Sequence, residues 1–567
     1  MRFVIREYLS YLKEDKELDY VLSELLLDMK IPPLVRPEKG RQDGVDIAAL
    51  GVDPKDKKKK LFLFIVKQGD ISRTTWDDGK NSVRASLNEI FDVYLNTRIL
   101  KAHQGLPIRI IVSTNGYLSQ NVQVPWVQYT NGQAKEGIEI DFWGIDELTT
   151  LCERYFFAES LFPAEHARLL HKTLAFIELN DYELNHFEEF IDLTIEKKES
   201  KRGSIKQLKL LNLCLNMIWV WGKELNNLKP VFNASEILLI KAWHWLETRD
   251  FLSEKKITVA FHEIRQTHTE IGFDYFARLR PYCAVRHSLN KRTYNYFDYS
   301  LVVWEQIGII STIGLSMSYE AEARAFVAKK STPLIETYWQ NASVIAESLF
   351  QMIDNNPPSL NPNYDEHCIE INLGLLLMYK TGHHDLAKNW LKKLISMTAN
   401  AYGLYRDFPL FYTNEEKLLE SHFKKKKIEV SSSILYTVLS EWCVILGLEE
   451  DFETLKSIIQ TSFPDLDLQM WYPEKETYDL LFSGNASRES GSLQNSIQLP
   501  ETLSGYKAIL LRELELFNSE KEFTFYNSGF YYLAFLMSRH YRTYLFPHLW
   551  RKYLETPMPN REDYVDN

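Results

Sequence analysis

The chain lacks the residue patterns that identify several common classes of protein. Its cysteines lie far apart, with no CxxC pair and no Cys/His ligand spacing, and they are Cys152, Cys214, Cys283, Cys368 and Cys443. This spacing argues against a disulfide framework or a zinc site. No apolar run reaches the ~18 to 20 residues needed to cross a bilayer, and the amphipathic, charged N-terminus does not have the pattern of a secretory signal. We therefore expect a cytoplasmic protein with no membrane partner.

Catalytic motifs of several large enzyme classes are also missing. The sequence has no GxxxxGK[ST], no GxGxxG after a strand, no GxSxG and no HExxH. Any nucleotide-driven step is therefore expected to come from a partner, such as a motor or sensor subunit. The formal net charge of −11 excludes bulk coating of nucleic acid by positive charge, although a local basic patch could still bind phosphates.

The chain is long and has ample apolar residues for large cores. With 567 residues and 45% hydrophobic residues, two or more domains are expected. Residues 1–158 alternate between helical and strand-like patterns in the order α-β-β-α-β-β-α, typical of a mixed sheet flanked by helices. From 159 to 567 helical periodicity dominates. The sequence predicts an α+β domain followed by a large all-α region that could divide again near 330–360.

Two segments of the helical region resemble each other. Residues 371–395 and 436–459 each contain an apolar helix, a short turn with glycine and acidic residues, and a second helix. This layout weakly resembles tetratricopeptide-like helical hairpins. We expect an irregular α-solenoid that offers an extended surface to a protein partner, and self-association remains open.

The stretch from 43 to 70 contains two residues that could do chemistry. Asp46 lies in "GVDIAA", and Lys67 closes the apolar strand "LFLFIV". The two runs read as a β-hairpin, and the amphipathic helix "ELDYVLSELLLDMK" precedes them. Taken singly, Asp46 could be a turn residue that bonds its local backbone, and Lys67 could extend its ammonium to water.

Taken together, helix, Asp46 and Lys67 resemble the PD-(D/E)xK, or restriction-endonuclease-like, nucleases over about the first 155 residues. The resemblance implies hydrolysis of DNA phosphodiester bonds with Mg²⁺ or Mn²⁺, in a bacterial defence or restriction effector. It implies that Asp46 binds the metal, that Lys67 orients the attacking water and stabilises the developing charge, and that Glu24 is the acidic residue of the first helix.

The sequence departs from that family at position 65, which is Ile where an acidic residue is expected. Side chains alternate across a strand, so residue 65 is expected to share the face of Lys67. Another carboxylate could complete the site, or fewer ligands could hold the metal. Alternatively, the domain is a degenerate nuclease fold that serves as a non-catalytic scaffold and binds nucleic acid or protein. The candidate carboxylates are Glu24, Asp43, Asp70 and Glu89.

Two groups of cations accompany the hairpin. Arg73, Lys80 and Arg84 follow it, with Trp76 among them. Such residues could contact the phosphates and bases of DNA, and the alternative is a solvated loop and helix cap. The lysine-rich connection "DPKDKKKK" within the hairpin is expected to be a solvated loop.

Overall fold

The computed structural model divides the chain into two compact units, Met1–Val231 and Phe232–Asn567. It describes residues 2–34, 43–79, 81–133, 135–156, 164–179, 183–328, 331–405, 414–424, 432–484, 491–493 and 496–558. The predicted domain boundary at 158 was based on the change to helical periodicity and stays a prediction.

A four-stranded mixed sheet organises the first unit. Its strands lie side by side in chain order and are β1 (Ile47–Val52), β2 (Lys59–Lys67), β3 (Ile108–Thr114) and β4 (Ile138–Trp143). The predicted hairpin is confirmed, because β1 pairs antiparallel with β2; β2, β3 and β4 are mutually parallel. Residues 61 to 66 of the central strand β2 are all buried, as expected for a strand covered on both faces.

Ten α-helices accompany this sheet in the part of the first unit that the structure describes. In chain order they are α1 (Arg2–Tyr11), α2 (Asp19–Asp28), α3 (Arg73–Asp77), α4 (Val83–Glu89), α5 (Leu95–Thr97), α6 (Gln120–Gly132), α7 (Ile145–Tyr155), α8 (Ala164–Ile177), α9 (Asn185–Glu196) and α10 (Lys201–Glu224). Shorter turns are π-helical at Glu14–Leu18 and Ile90–Tyr94, and 3-10 at Lys101–His103. The turn Glu14–Leu18 joins α1 to α2.

The predicted element order was wrong between β3 and β4. Helix α6 lies there, so the order is α-β-β-α-β-α-β-α. Parallel neighbours need a crossover connection, which is usually a helix. The helix is hard to detect in the sequence because it contains Pro125 and, of its side chains, only that of Val122 is buried.

The principal hydrophobic cluster of the first unit lies on one face of the sheet. Leu61, Leu63 and Ile65 of β2 pack there with Trp76 of α3, and the other helical contributors are Val83, Leu87 and Val122. The alternate residues of β2 face the other way: Phe64 meets Trp143 edge-on at 5.3 Å between ring centroids.

The second unit is mainly helical. Its helices are α11 (Lys229–Thr248), which begins at the unit boundary, α12 (Lys255–Cys283), α13 (Tyr296–Ala328), α14 (Pro333–Asn355), α15 (Cys368–Lys380), α16 (His384–Tyr405), α17 (Glu415–Lys424), α18 (Leu435–Leu446), α19 (Glu449–Ser462), α20 (Leu503–Leu516), α21 (Thr524–Asn527), α22 (Tyr532–Tyr541) and α23 (His548–Arg551). Two short strand pairs accompany them, β5 (Ser432–Ser433) with β6 (Asp467–Leu468) and β7 (Trp471–Pro473) with β8 (Gly491–Leu493). The 3-10 turns are Ser288–Arg292, Pro357–Leu360, Asp365–His367, Lys475–Phe482, Ser519–Glu522 and Lys552–Leu554.

Helix α13 is the centre of the second unit. In the part of the chain that the structure describes, it is the one helix long and apolar enough to cross a membrane, yet 83% of its most apolar window is buried inside the fold. It packs against α14, α15 and α22, as the core helix of a soluble protein does.

The coarse fold class is confirmed: a small mixed sheet with helices is followed by helical bulk. The two predicted helix-turn-helix segments are the pairs α15–α16 and α18–α19. Their relation to tetratricopeptide repeats, and the restriction-endonuclease-like assignment of the sheet, stay predictions.

Candidate functional site

The carboxylate of Asp46 is fixed against the last residues of β2. The Asp46 N–H donates to the Phe64 carbonyl at 2.8 Å, and the Val66 N–H donates to Asp46 Oδ2 at 2.7 Å. Asp46 therefore lies beside the end of β2, where Lys67 follows.

Lys67 does not simply extend into water. Its Nζ donates to Glu14 Oε1 at 3.0 Å, and its side chain is 13% exposed against 45% for Glu14. Glu14 is the first residue of the π-helical turn between α1 and α2. The structure thus brings a carboxylate to Lys67 that the sequence analysis missed. The available signal was the acidic segment "EDKELD" at 14–19, just before the amphipathic helix.

The charges around Asp46 are mostly negative. Burial raises the pKa of Asp46 above its usual value; the Val66 N–H and Lys67 lower it, and Glu14 and Asp19 raise it further. Nearby like charges disfavour the ionised form of a carboxyl group. Two carboxylates, those of Glu14 and Asp19, and one lysine, Lys67, therefore act on Asp46, and this excess of negative charge favours the uptake of a cation.

Asn115 and Gly116 hold the end of β2 close to the end of α1. Asn115 Oδ1 accepts from the Gly69 N–H at 2.7 Å, and its Nδ2 donates to the carbonyls of Leu9 and Leu12 at 2.8 and 2.7 Å. A Cβ on Gly116 would lie 2.3 Å from the carbonyl carbon of Gly69, so only glycine fits this close approach. These contacts place the segment before Glu14 next to the segment after Lys67.

Ile65 is fully buried in the hydrophobic cluster, and it pairs in register with Val112 of β3. Lys67, in contrast, lies where the strand ends and reaches Glu14. A carboxylate at position 65 would therefore enter the core rather than join Lys67 at the site.

Two of the candidate replacement carboxylates pair with cations elsewhere. Glu24 of α2 forms a salt bridge with Lys209 of α10. Asp43 accepts from Arg98 Nε at 2.8 Å. Both carboxylates therefore pair with cations other than Lys67. Glu14 lies beside Lys67, where Glu24 was expected.

The remaining two candidates are close to the site in sequence or in space. Asp70 is exposed, and its Oδ1 accepts from the Tyr117 N–H at 2.7 Å. Glu89 ends α4, and its Cβ would be 3.2 Å from a Cβ added to Gly44. Glu89 therefore belongs to the surroundings of Asp46.

The residues predicted to contact nucleic acid have different environments. Arg73 is exposed at the start of α3, and Arg84 pairs with Asp77 at 2.8 Å. Lys80 lies outside the described residues. Trp76, 3% exposed, is part of the core cluster, so its ring is not available to stack on a base.

The prediction of a solvated loop is wrong for Lys60, which is 2% exposed within β2. Its Nζ lies 2.9 to 3.0 Å from Asp53, Asp56 and Glu139. Arg109, also buried, donates to both oxygens of Asp53 at 3.0 and 2.9 Å. We call these five residues the charged cluster. It lies at the opposite end of β2 from Lys67, about 23 Å away at ~3.3 Å per residue.

The carboxylates of Asp46 and Glu14, close to Lys67, could bind a divalent metal weakly. Within the described ranges, no three histidine, cysteine, aspartate or glutamate side chains form a ready metal site. However, Mg²⁺ in phosphate chemistry is commonly bound by one or two carboxylates, with water and substrate phosphate as the other ligands. Asp46 and Glu14 could provide those two carboxylates.

Comparison with known proteins finds no family model, no curated protein and no solved structure that matches the chain. The resemblance to PD-(D/E)xK nucleases therefore depends on the residues described above and stays a prediction.

Proposed function

We propose that the N-terminal unit is a metal-dependent nuclease that hydrolyses DNA phosphodiester bonds, in a bacterial defence or restriction effector. The observation that supports this most directly is the meeting of Asp46, Glu14 and Lys67 at the end of β2. Two acids and a lysine at one strand end are the residue types that this reaction requires.

In this proposal each side chain has a distinct role. Lys67 binds the scissile phosphate, orients the attacking water and stabilises the negative charge that develops during attack. Its contact with Glu14 opens when phosphate binds, since the Glu14 carboxylate is 45% exposed and can turn to water. Asp46, held by the Val66 N–H, and the released Glu14 bind Mg²⁺ or Mn²⁺. The ion supplies a Lewis acid and lowers the pKa of bound water.

The helical unit is proposed to serve recognition and assembly. Arrays of packed helix pairs can offer extended surfaces to protein partners. In the pairs α15–α16 and α18–α19, helices α15 and α18 are buried, so α16 and α19 would supply that surface. A motor or sensor subunit would bind there, or a second copy of the chain, in the cytoplasm.

The test is cleavage of supercoiled plasmid with Mg²⁺ or Mn²⁺. We compare the wild-type protein with Lys67→Ala, Asp46→Asn and Glu14→Gln. Glu24→Gln is the matched control, because it makes the same chemical change at a carboxylate that pairs with Lys209. We expect metal-dependent nicking that falls about 100-fold or more in Lys67→Ala and Asp46→Asn, as for the loss of a group that stabilises transition-state charge. We expect little change in Glu24→Gln.

Nicking that persists in all three site variants would place the chemistry elsewhere. Absence of nicking with every protein, each folded by circular dichroism, would contradict an independently active nuclease.

A second candidate function is a non-catalytic scaffold that binds nucleic acid or protein. It is favoured by Ile65, which is fully buried where the related enzymes carry an acid. Calorimetric titration with Mn²⁺ separates the two functions, because a nuclease site loses metal affinity in Asp46→Asn whereas a scaffold shows no metal binding that depends on Asp46.

A further inference from the structure

A segment of the second unit has a charge pattern opposite to that of the whole chain. Between Asp274 and Asp298 there is no acidic residue, in a protein whose formal net charge is −11. The segment runs from the end of α12 through the 3-10 turn Ser288–Arg292 to the start of α13. Its five cations are Arg278, Arg280, Arg286, Lys291 and Arg292. The first four are exposed.

Aromatic rings accompany these cations at the surface. Tyr282 is 49% exposed, Tyr294 98% and Tyr296 64%. Tyr299 is 2% exposed and lies beneath them, 6.3 Å from Tyr296 between ring centroids. We call the three exposed tyrosines and the four exposed cations the basic tyrosine surface.

The surface borders a cavity of about 400 Å³. Tyr294, Tyr296 and Tyr299 supply aromatic walls, and His287 and Asn290 supply polar groups. Aromatic walls beside polar groups suit a nucleobase, because a base has a flat apolar face and a polar edge.

Hydrogen bonds to the end of α14 hold the segment in place. The His287 N–H donates to the Asn355 carbonyl at 2.8 Å, and the Asn355 amide donates to the Cys283 carbonyl at 3.3 Å. The Tyr299 hydroxyl donates to Asn356 Oδ1 at 2.9 Å. These bonds hold the His287 backbone and the Tyr299 ring at the cavity, which reduces the entropy lost when a ligand binds there.

We propose that the basic tyrosine surface binds single-stranded nucleic acid, with its phosphates along the cations and its bases on Tyr294 and Tyr296. Proteins that bind single strands combine a positive groove with aromatic side chains on which bases stack. The bases of a duplex are stacked inside the helix and cannot reach these rings. An acidic protein partner would use the cations but would not require flat aromatic faces. The proposal concerns residues outside the Lys67 site, so it holds whether or not that site cuts DNA.

The test is fluorescence anisotropy with the full chain in EDTA, so that binding is measured without cleavage. The probes are a labelled single strand of ~15 nucleotides and the duplex of the same sequence. We expect the single strand to bind more tightly. Its log K should fall with log salt at about −0.7 for each phosphate contact, or about −3 if all four exposed cations take part.

Variants separate stacking from charge. Tyr294→Ala combined with Tyr296→Ala should weaken single-strand binding about fivefold or more for each stacked base. Arg286→Ala combined with Lys291→Ala should make the salt slope shallower by about 1.4. Phe326→Ala is the matched control, because Phe326 is 86% exposed at the other end of α13. Unchanged thermal unfolding shows that these surface variants fold.

Four results would overturn the proposal, and the first three concern the probes and the tyrosines. The first is that neither probe binds. The second is that the double tyrosine variant binds the single strand as tightly as the wild type does. The third is that the duplex binds more tightly than the single strand. Equal loss of binding in Phe326→Ala would also contradict it, because the effect would not be specific to this surface.

Discussion

Ile65→Glu introduces the acid that the proposed resemblance to PD-(D/E)xK nucleases would require at this position, yet we expect it to damage the fold. Ile65 is 0% exposed and packs in the cluster with Leu63, Ile71 and Val112. Removing a buried isoleucine side chain costs about 2 to 5 kcal/mol, and burying an unpaired polar group adds about 1 to 3 kcal/mol. We expect Ile65→Glu to lower the free energy of unfolding of the first unit by about 5 kcal/mol.

The assay is urea denaturation followed by hydrogen exchange of peptides from β2 and β3, which reports on the first unit separately from the helical unit. Ile65→Val is the matched control, with an expected loss of about 0.5 to 1.5 kcal/mol. The loss in Ile65→Glu should shrink as the pH falls from the raised pKa of the buried carboxyl group towards ~4.3, the pKa in the unfolded chain. It should be smallest below ~4.3, where the group is neutral in both the folded and unfolded states.

The reasoning would be refuted if Ile65→Glu were within about 1 kcal/mol of the wild type, less than burial of an unpaired group allows, and cut plasmid faster. Position 65 would then face the site rather than the core.

Three further predictions concern other contacts. Asp53→Asn removes a fully buried partner of Lys60 and Arg109 and should lower the free energy of unfolding by about 3 kcal/mol. Lys55 is 66% exposed, so Lys55→Ala should lower it by less than about 1 kcal/mol. Similar losses for the two variants in urea titration would contradict this prediction. Burial raises the pKa of Asp53 but the surrounding donors lower it overall, so its stabilisation should be lost as pH falls below ~4. Gly116→Ala would place a Cβ 2.3 Å from the Gly69 backbone and should lower the melting temperature and any cleavage activity together; an unchanged melting temperature would argue against this close approach. Burial and a neighbouring lysine lower the pKa of Lys552 to about 8, so wild-type stability should rise between pH 8 and ~10.4, and Lys552→Met should lack that rise in thermal unfolding scans at each pH.

The hairpin, the helical bulk and two residues of the candidate site could be predicted from the sequence, whereas helix α6 could not. Alternating and helical periodicities predict the hairpin and the helical bulk, because burial of one face repeats with the period of the element. Asp46 and Lys67 could be identified because each lies at the end of an apolar run of that hairpin.

Which residues lie beside Asp46 and Lys67 depends on tertiary packing. Glu14 and Lys67 are 53 positions apart, and no local pattern links an acid in a turn to the end of a strand. Lys60 belongs to a lysine run in the sequence, but it is buried because Asp53 and Glu139 converge on it. Ile65 faces the core since strands β2 and β3 pair beneath the helices. Such contacts depend on how distant elements pack, so the sequence fixes the residue types while the packing selects their partners.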